Sequence, residues 1–261
     1  MKLSCEKLSF SYDGHEVLRE VSFSAREGDF LAVLGPNGVG KSTLFRCILG
    51  ILKDYKGSIK IDGADIRSLS KREMARRIAY IPQIHRPTFG YTVLDTVLMG
   101  TARQVGAFSQ PKKGQMDAAW DAMGQIGIEA LAHRNFAHLS GGEQQLVLVA
   151  RAIAQQADIL VMDEPTSALD YGNQLRVLDK VKSLSGRGYT VLLSTHNPQH
   201  ALTFAGGLLA LEGGCVAAFG KPQDTLTPEL MKKLYKIDVG FVEADCGKVI
   251  VPRLGEHMDD V

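Results

Sequence analysis

The sequence predicts an α/β fold: a mostly parallel sheet covered by helices, preceded by antiparallel strands and interrupted by an inserted helical subdomain. Three observations carry that reading. Apolar runs of strand length alternate with helical stretches toward both ends of the chain, the pattern of parallel strands joined by helical crossovers. A glycine-rich loop, "GPNGVGKST" at 35–43, stands between an apolar run and a helical stretch. Residues 92–156 have helical periodicity and no convincing strand.

The elements follow in order. "LSCEKLSFSY" and "EVSFSA" alternate apolar and polar residues, as half-buried strands do. "DFLAVLG" is apolar throughout, which predicts a strand buried on both faces. It runs into the glycine loop, and a helix begins near Lys41. "GSIKIDG" predicts a short strand, a charged helical stretch follows near 70–77, and "IAYIPQ" predicts a buried strand ending at Pro82. "TVLDTVLMGTAR", "GQMDAAWDAMGQIGI" and "EQQLVLVARAIAQQ" predict helices. Between the first two, "QVGAFSQPKKG" predicts a surface loop. Beyond them "DILVMDE", "YTVLLST", "GLLALEGG" and "CVAAFG" predict strands, while "DYGNQLRVLDKVKSLSG" and "PQHALTFA" predict helices. The tail adds one helix and a short hairpin. A single domain over 1–261 follows, with its sheet core in 1–83 and 158–261 and the helical subdomain in about 84–157.

Composition narrows the function classes. A chain of 261 residues can bury a full core. Its 45% apolar and 23% charged residues are those of a globular protein, not a disordered one. A net charge of +1 gives no broad basic face, which argues against nucleic acid as a partner. Cys5, Cys47, Cys215 and Cys246 lie far apart and make no metal-binding or redox pair by spacing, so reduced thiols are expected. "MKLSCEKLSFSYDGHE" lacks the apolar core of a signal peptide. No stretch approaches the ~20 apolar residues that span a bilayer. A soluble chain is expected, unless a partner holds it at a membrane.

The chemistry starts in the glycine loop. Gly35 to Ser42 fit the G-x-x-x-x-G-K-[ST] pattern, in the strand–loop–helix setting that a phosphate-binding loop needs. Glycines such as Gly38 and Gly40, with Asn37 between them and Pro36, let backbone N–H groups converge on phosphate oxygens. The helix start adds a field that favours an anion. Lys41 can reach the β- and γ-phosphates of a nucleotide, and the Ser42 hydroxyl, followed by Thr43, can ligate Mg²⁺. A P-loop NTPase with a RecA-like core is the expected fold. "ILVMDE" supplies the partner acids at the carboxyl end of a strand, where open α/β sheets bind ligands. Asp163 is expected to hold Mg²⁺ through water and Glu164 to polarise the attacking water.

A second helix start raises a second question. In "HLSGGEQQLVLVARAI", Ser140 and Glu143 form an S-x-x-E capping box, which suffices for a well-capped helix. Gly141 and Gly142 are not required by a cap, whereas close approach of backbone to phosphate requires small residues. His196 and His200 have i, i+4 spacing, but Pro198 starts a helix between them and keeps them off one face.

The chain resembles the ATP-binding subunits of ABC transporters over nearly its whole length and in that family's motif order. "GPNGVGKST" is similar to its Walker A, "LSGGEQQ" to its signature motif, "ILVMDE" to its Walker B and "SALD" at 167–170 to its D-loop. Gln83 in "IPQ" falls at the Q-loop, His196 in "STHNP" at the switch histidine, and Tyr12 where an aromatic ring stacks on adenine; Tyr12 also reads as a strand-end tyrosine. The resemblance implies two copies arranged head to tail, each ATP held between Walker A of one and "SGG" of the other. It implies that Gly38, Gly40, Lys41, Ser42 and Thr43 bind phosphates and Mg²⁺, and that Gln83 senses the metal and the water. It further implies that Ser140, Gly141 and Gly142 touch the opposite γ-phosphate, that Glu164 is the base, that His196 positions water, and that Asp170 contacts the opposite Walker A.

"RRIAYIPQ", "TVLDTVLMGTAR" and the "GAFSQP" loop are similar to ATPases of importers for iron–siderophore complexes, haem and cobalamin. That implies a multi-spanning permease docking a short helix near the Q-loop, a separate substrate-binding protein, and a place on the cytoplasmic face of the cell membrane. Asn197 stands where the family often has Asp. Molybdate-type import, export, and an ATPase working away from membranes are the alternatives.

Overall fold

The structure is a computed structural model and describes residues 1–83, 90–104, 111–245 and 247–253. The centre of the expected loop at 104–114, and Cys246, lie outside the described residues.

The N-terminal strands pair as a hairpin. β1 (Leu3–Tyr12) and β2 (His15–Ala25) run antiparallel, with Leu3 opposite Ala25 and Tyr12 opposite His15. The two-residue turn is Asp13–Gly14, both at positive φ (46° and 84°). That geometry matches the right-handed twist of the strands it joins, and Asp-Gly is its usual sequence. β2 therefore begins well before the alternation that marks it from Glu20. With β4 (Lys56–Ile61) and β5 (Ala64–Asp65) these strands form a sheet in the order β2-β1-β4-β5.

The second sheet is the mostly parallel one. β3 (Phe30–Leu34), β6 (Ile78–Ile81), β7 (Ile159–Met162), β8 (Thr190–Thr195), β9 (Gly207–Glu212) and β10 (Cys215–Gly220) lie in the order β10-β9-β3-β8-β7-β6. Only β10 runs antiparallel, as a hairpin with β9. Every residue of β3, β7 and β8 is buried, as the apolar runs of β3 and β7 and the Val191–Leu193 centre of β8 require of strands covered on both faces.

Period-two alternation sorts β3 between two cores. Leu31 and Val33 face the antiparallel sheet and α1 (Lys41–Ile48), joining Leu8, Leu18, Phe45 and Leu192. Phe30, Ala32 and Leu34 face the other way, onto α5 (Gly141–Ala154), α6 (Tyr171–Ser185) and α7 (Pro198–Phe204). α3 (Val93–Leu98) and α4 (Lys113–Ile126) extend that second core through Val97, Ala119 and Met123. α2 (Lys71–Arg77) carries the expected charge and buries nothing.

The tail departs from expectation by one element. α8 (Pro222–Thr225) is a single turn started by proline, followed by α9 (Pro228–Tyr235) and a hairpin of β11 (Val239–Ala244) with β12 (Gly247–Pro252). A four-residue helix leaves no periodic signal. The hairpin is tied to α7: Gln199 Nε2 donates to Lys248 O (3.2 Å) and Ile250 N–H donates to Gln199 Oε1 (3.0 Å). Among the described residues no helix is long and apolar enough to cross a membrane.

The sheet's strand order matters for function. β3, β8, β7 and β6 are neighbours, and their carboxyl ends carry Lys41's loop, His196, Asp163–Glu164 and Gln83. Leu192 lies at the centre of this sheet, fully buried. Leu192→Ala is expected to lower stability by about 2–5 kcal/mol. Ile237→Ala at an exposed site should stay within about 0.5 kcal/mol. Chemical denaturation midpoints check both.

Candidate active site

The glycine loop turns the chain from β3 into α1. Gly40 caps that helix at φ 109°, a left-handed value, and a Cβ there would lie 2.9 Å from Leu18 Cδ2 and 3.2 Å from Val17 O. Conformation and space both demand glycine. No side chain caps α1, so its first N–H groups have no side-chain acceptor. Asn37, Gly38, Gly40, Lys41, Ser42 and Thr43 line a cavity of about 330 Å³, closed on its other side by Gln83 and Glu164.

Lys41 is buried, and its ammonium is fully engaged. Nζ donates to Gly35 O (2.7 Å) and Pro36 O (3.1 Å) and pairs with Glu164 Oε1 at 3.3 Å. An ammonium has three protons, so these contacts account for all of them.

Glu164 is where the site converges. Its Oε2 accepts from Gln83 Nε2 (3.3 Å) and lies 3.3 Å from His196 Nδ1. Gln83 Nε2 also donates to Ser167 Oγ at 3.3 Å. The Glu164 backbone has φ 43°, left-handed and uncommon for a residue with a side chain. Asp163 is buried, its N–H donates to Ile81 O (3.0 Å), and its Oδ1 accepts from Ser194 Oγ (2.6 Å). Ser194 Oγ in turn accepts the Glu164 N–H at 2.8 Å.

The remaining predicted residues lie elsewhere on the chain. Ser140, Gly141 and Gly142 open α5 and do not line the Lys41 cavity. The capping box forms: Glu143 N–H donates to Ser140 Oγ (3.4 Å) and Ser140 N–H donates to Glu143 Oε2 (2.9 Å). That backbone donor holds the Glu143 carboxyl below its ordinary value. Gly142 has an intrachain reason to be small, because a Cβ there would meet Asn173 side-chain atoms at 2.7 Å. The glycine pair alone is thus no proof of a phosphate. Asp170 caps α6, accepting from Asn173 N–H (2.9 Å) and Nδ2 (2.7 Å), bonds that hold its carboxyl below the usual range. Tyr12 ends β1 with its ring edge-on to Phe10, 4.8 Å between centroids, 38% exposed and outside the cavity lining.

His196 is half-exposed and precedes α7, which starts at Pro198. Asn197 is that helix's N-cap, accepting the Gln199 N–H at 3.0 Å, a role Asp and Asn fill about equally. His200, one turn on, is buried with both ring nitrogens unpartnered among the described residues, and burial holds its imidazole below the ordinary value.

Sequence reasoning missed Ser194, Ser167 and Asn173. The available signal was a serine near the end of an otherwise apolar strand, beside the strand that delivers the acids. A second cavity, about 740 Å³, opens between Leu49–Ile51 after α1, Met74 and Ala75 of α2, and Ile78 and Tyr80 of β6. Gln155 Nε2 anchors its floor, donating to Ala75 O and Ile78 O at 2.8 Å each.

The donor set fits a nucleotide triphosphate. An uncapped helix start and a buried ammonium favour a polyanion, and the oxygens of Ser42, Asp163 and Gln83 suit a hard cation such as Mg²⁺. Comparison with known proteins agrees. The ABC transporter family model matches residues 18–167. The chain is 37% identical over 237 residues to the molybdate import ATP-binding protein MolC of Haemophilus influenzae, covering 90% of this chain and 88% of that one. It is 40% identical over 200 residues to a probable iron chelatin transport ATP-binding protein of Helicobacter pylori, covering 76% and 78%. Among solved structures, an inward-facing conformation of a putative metal-chelate type ABC transporter superimposes with a TM-score of 0.85 at 34% identity, over 97% of this chain and 98% of that one. The chain belongs to the ABC transporter family. Within it, this is an ATP-binding subunit and an ATP hydrolase.

The contact between Gly142 and Asn173 can be tested directly. Gly142→Ala is expected to cost about 1–3 kcal/mol through overpacking. Asn173→Ala in the same chain should recover part of that loss, a coupling that a double-mutant cycle of thermal unfolding measures.

Proposed function

We propose that this chain is the ATPase subunit of an importer for a metal chelate of the iron–siderophore, haem or cobalamin type. The likeness to a metal-chelate type transporter along almost the entire chain carries that reading. A relative named for molybdate import favours a second one, an oxyanion importer.

Two copies arranged head to tail would complete each nucleotide site. The separation of Ser140–Gly142 from the Lys41 cavity within one chain supports this, since one copy then offers each half to its partner. Asp170, at the exposed start of α6, meets the partner's Walker A in that arrangement. Tyr12 stacks on the adenine. The division into a core of 1–83 and 158–261 and a helical subdomain of about 84–157 gives the closing motion its two bodies, in keeping with the all-helical character of α3 to α5. A multi-spanning permease docks a short helix into the apolar cavity beside Tyr80, three residues before Gln83, and so holds the subunit at the cytoplasmic face. A substrate-binding protein acts on the far side of the permease.

The chemistry follows from the site's contacts. ATP entering the loop takes the place of Glu164 on Lys41, because a phosphate offers the ammonium more charge than one carboxylate does. Asn37, Gly38, Gly40 and Thr43, which line the cavity, supply backbone and hydroxyl donors to the phosphates, and Gly35 opens the loop that carries them. Glu164, released, accepts a proton from the attacking water, while His196 and Gln83 hold that water and the γ-phosphate in line. Ser42, Asp163 and Gln83 would hold Mg²⁺, which would supply positive charge against the charge that develops on the phosphate.

Glu164→Gln is expected to bind ATP and dimerise yet turn over at least about 100-fold more slowly, the usual contribution of a general base. Normal turnover in that variant refutes the assignment. Uptake into proteoliposomes containing the permease decides cargo: ATP-dependent entry of a ferric chelate, haem or cobalamin supports the proposal, and entry of molybdate alone supports the second reading.

A further inference from the structure

Ser194 holds both acids of the site through one hydroxyl. It is fully buried near the end of β8, whose Leu193 pairs with Met162 of β7, so its Oγ lies against the first residues beyond β7. The hydrogen-bond roles are fixed by chemistry. The Glu164 N–H can only donate, so Ser194 Oγ accepts it at 2.8 Å. The hydroxyl proton is then free for Asp163 Oδ1, 2.6 Å away, a short bond typical of a charged acceptor.

We propose that Ser194 is a positioning residue for ATP hydrolysis, setting the Asp163 carboxylate and the Glu164 backbone with a single oxygen. The proposal rests on the reading of Glu164 as the base. Two consequences make the role more than burial of a satisfied hydroxyl. Glu164 stands at φ 43°, a conformation that costs on the order of 1–3 kcal/mol unless its surroundings hold it. Ser167 donates from its N–H (3.2 Å) and Oγ (3.1 Å) to the Glu164 carbonyl, and Ser194 holds the N–H on the other side of the same residue, so that the backbone aims the carboxylate at Lys41, Gln83 and His196. At the same time the bond to Oδ1 fixes the rotation of the Asp163 carboxylate, and with it the oxygen that would be offered to Mg²⁺. A change at Ser194 therefore disturbs metal and base together, without touching nucleotide.

The test compares Ser194→Ala, Ser194→Thr and Glu164→Gln with the parent chain, after thermal unfolding has shown each to be folded. In the ligand-free protein, the Glu164 amide hydrogen should exchange faster in Ser194→Ala, while amides in α6 do not change. Turnover at saturating ATP and Mg²⁺ should fall roughly 10- to 100-fold, the usual loss when the partner of a site ligand is removed. Affinity for a fluorescent ATP analogue should stay within about threefold, because Ser194 does not line the phosphate cavity. Ser194→Thr keeps the hydroxyl and should restore most of the rate. Unchanged exchange at Glu164, turnover of Ser194→Ala within about twofold of the parent, or a folded Ser194→Thr as slow as Ser194→Ala each overturns the proposal. Glu164→Gln separates the two claims. If it turns over normally, the base assignment falls and takes this proposal with it; if it is silent beside an unimpaired Ser194→Ala, only this proposal falls.

Discussion

The ion pair between Lys41 and Glu164 organises everything around it. A buried ammonium and a nearly buried carboxylate sit 3.3 Å apart at the edge of a parallel sheet. The buried ammonium is the more demanding of the two, since a buried charge left without its partner costs several kcal/mol, on the order of 3–5. Each therefore constrains what surrounds the other. Lys41 draws in the carbonyls of its own loop, and Glu164 draws in Gln83 and His196.

The sheet makes that meeting possible. β3 and β7 are far apart in sequence, and only the order β3-β8-β7-β6 puts their carboxyl ends close enough for Lys41 to reach Glu164. β8 lies between them and supplies both Ser194, from within, and His196, just beyond its end. Helices on one face and an antiparallel sheet on the other exclude water from the strands, which is why β3 and β7 are apolar throughout and β8 is apolar from Val191 to Leu193. The polar residues of β8 stand at its two ends, Ser194 and Thr195 at the carboxyl end where the chemistry lies.

Much of this was legible in the residues. Apolar runs marked β3, β7 and β8, and the glycine loop announced the place of the cavity that Lys41 lines. Ser140 and Glu143 announced the capping box that forms at α5. What escaped has physical reasons. In the first half of β2 the apolar residues Val17 and Leu18 stand side by side between exposed His15, Glu16, Arg19 and Glu20, so no alternation flags it, although Asp13–Gly14 encodes its turn. α8 is too short to have a period. Ser194 was invisible because its importance comes from a strand neighbour more than 30 positions away, and sequence order does not show which strands touch. Gly142 was legible for an incomplete reason. Small size there serves packing against Asn173, whatever else it serves.

In the proposed function each nucleotide site is shared between two copies, one supplying Lys41 and the other Ser140. Mixing two inactive variants tests this most directly. Lys41→Ala and Ser140→Arg should each be nearly silent alone. In a mixed dimer, one site carries both defects and the other carries neither. The mixture is therefore predicted to recover up to about a quarter of parental turnover, half the dimers being mixed with one intact site of two. A mixture as silent as its components would contradict the shared site, as would full turnover by Ser140→Arg alone.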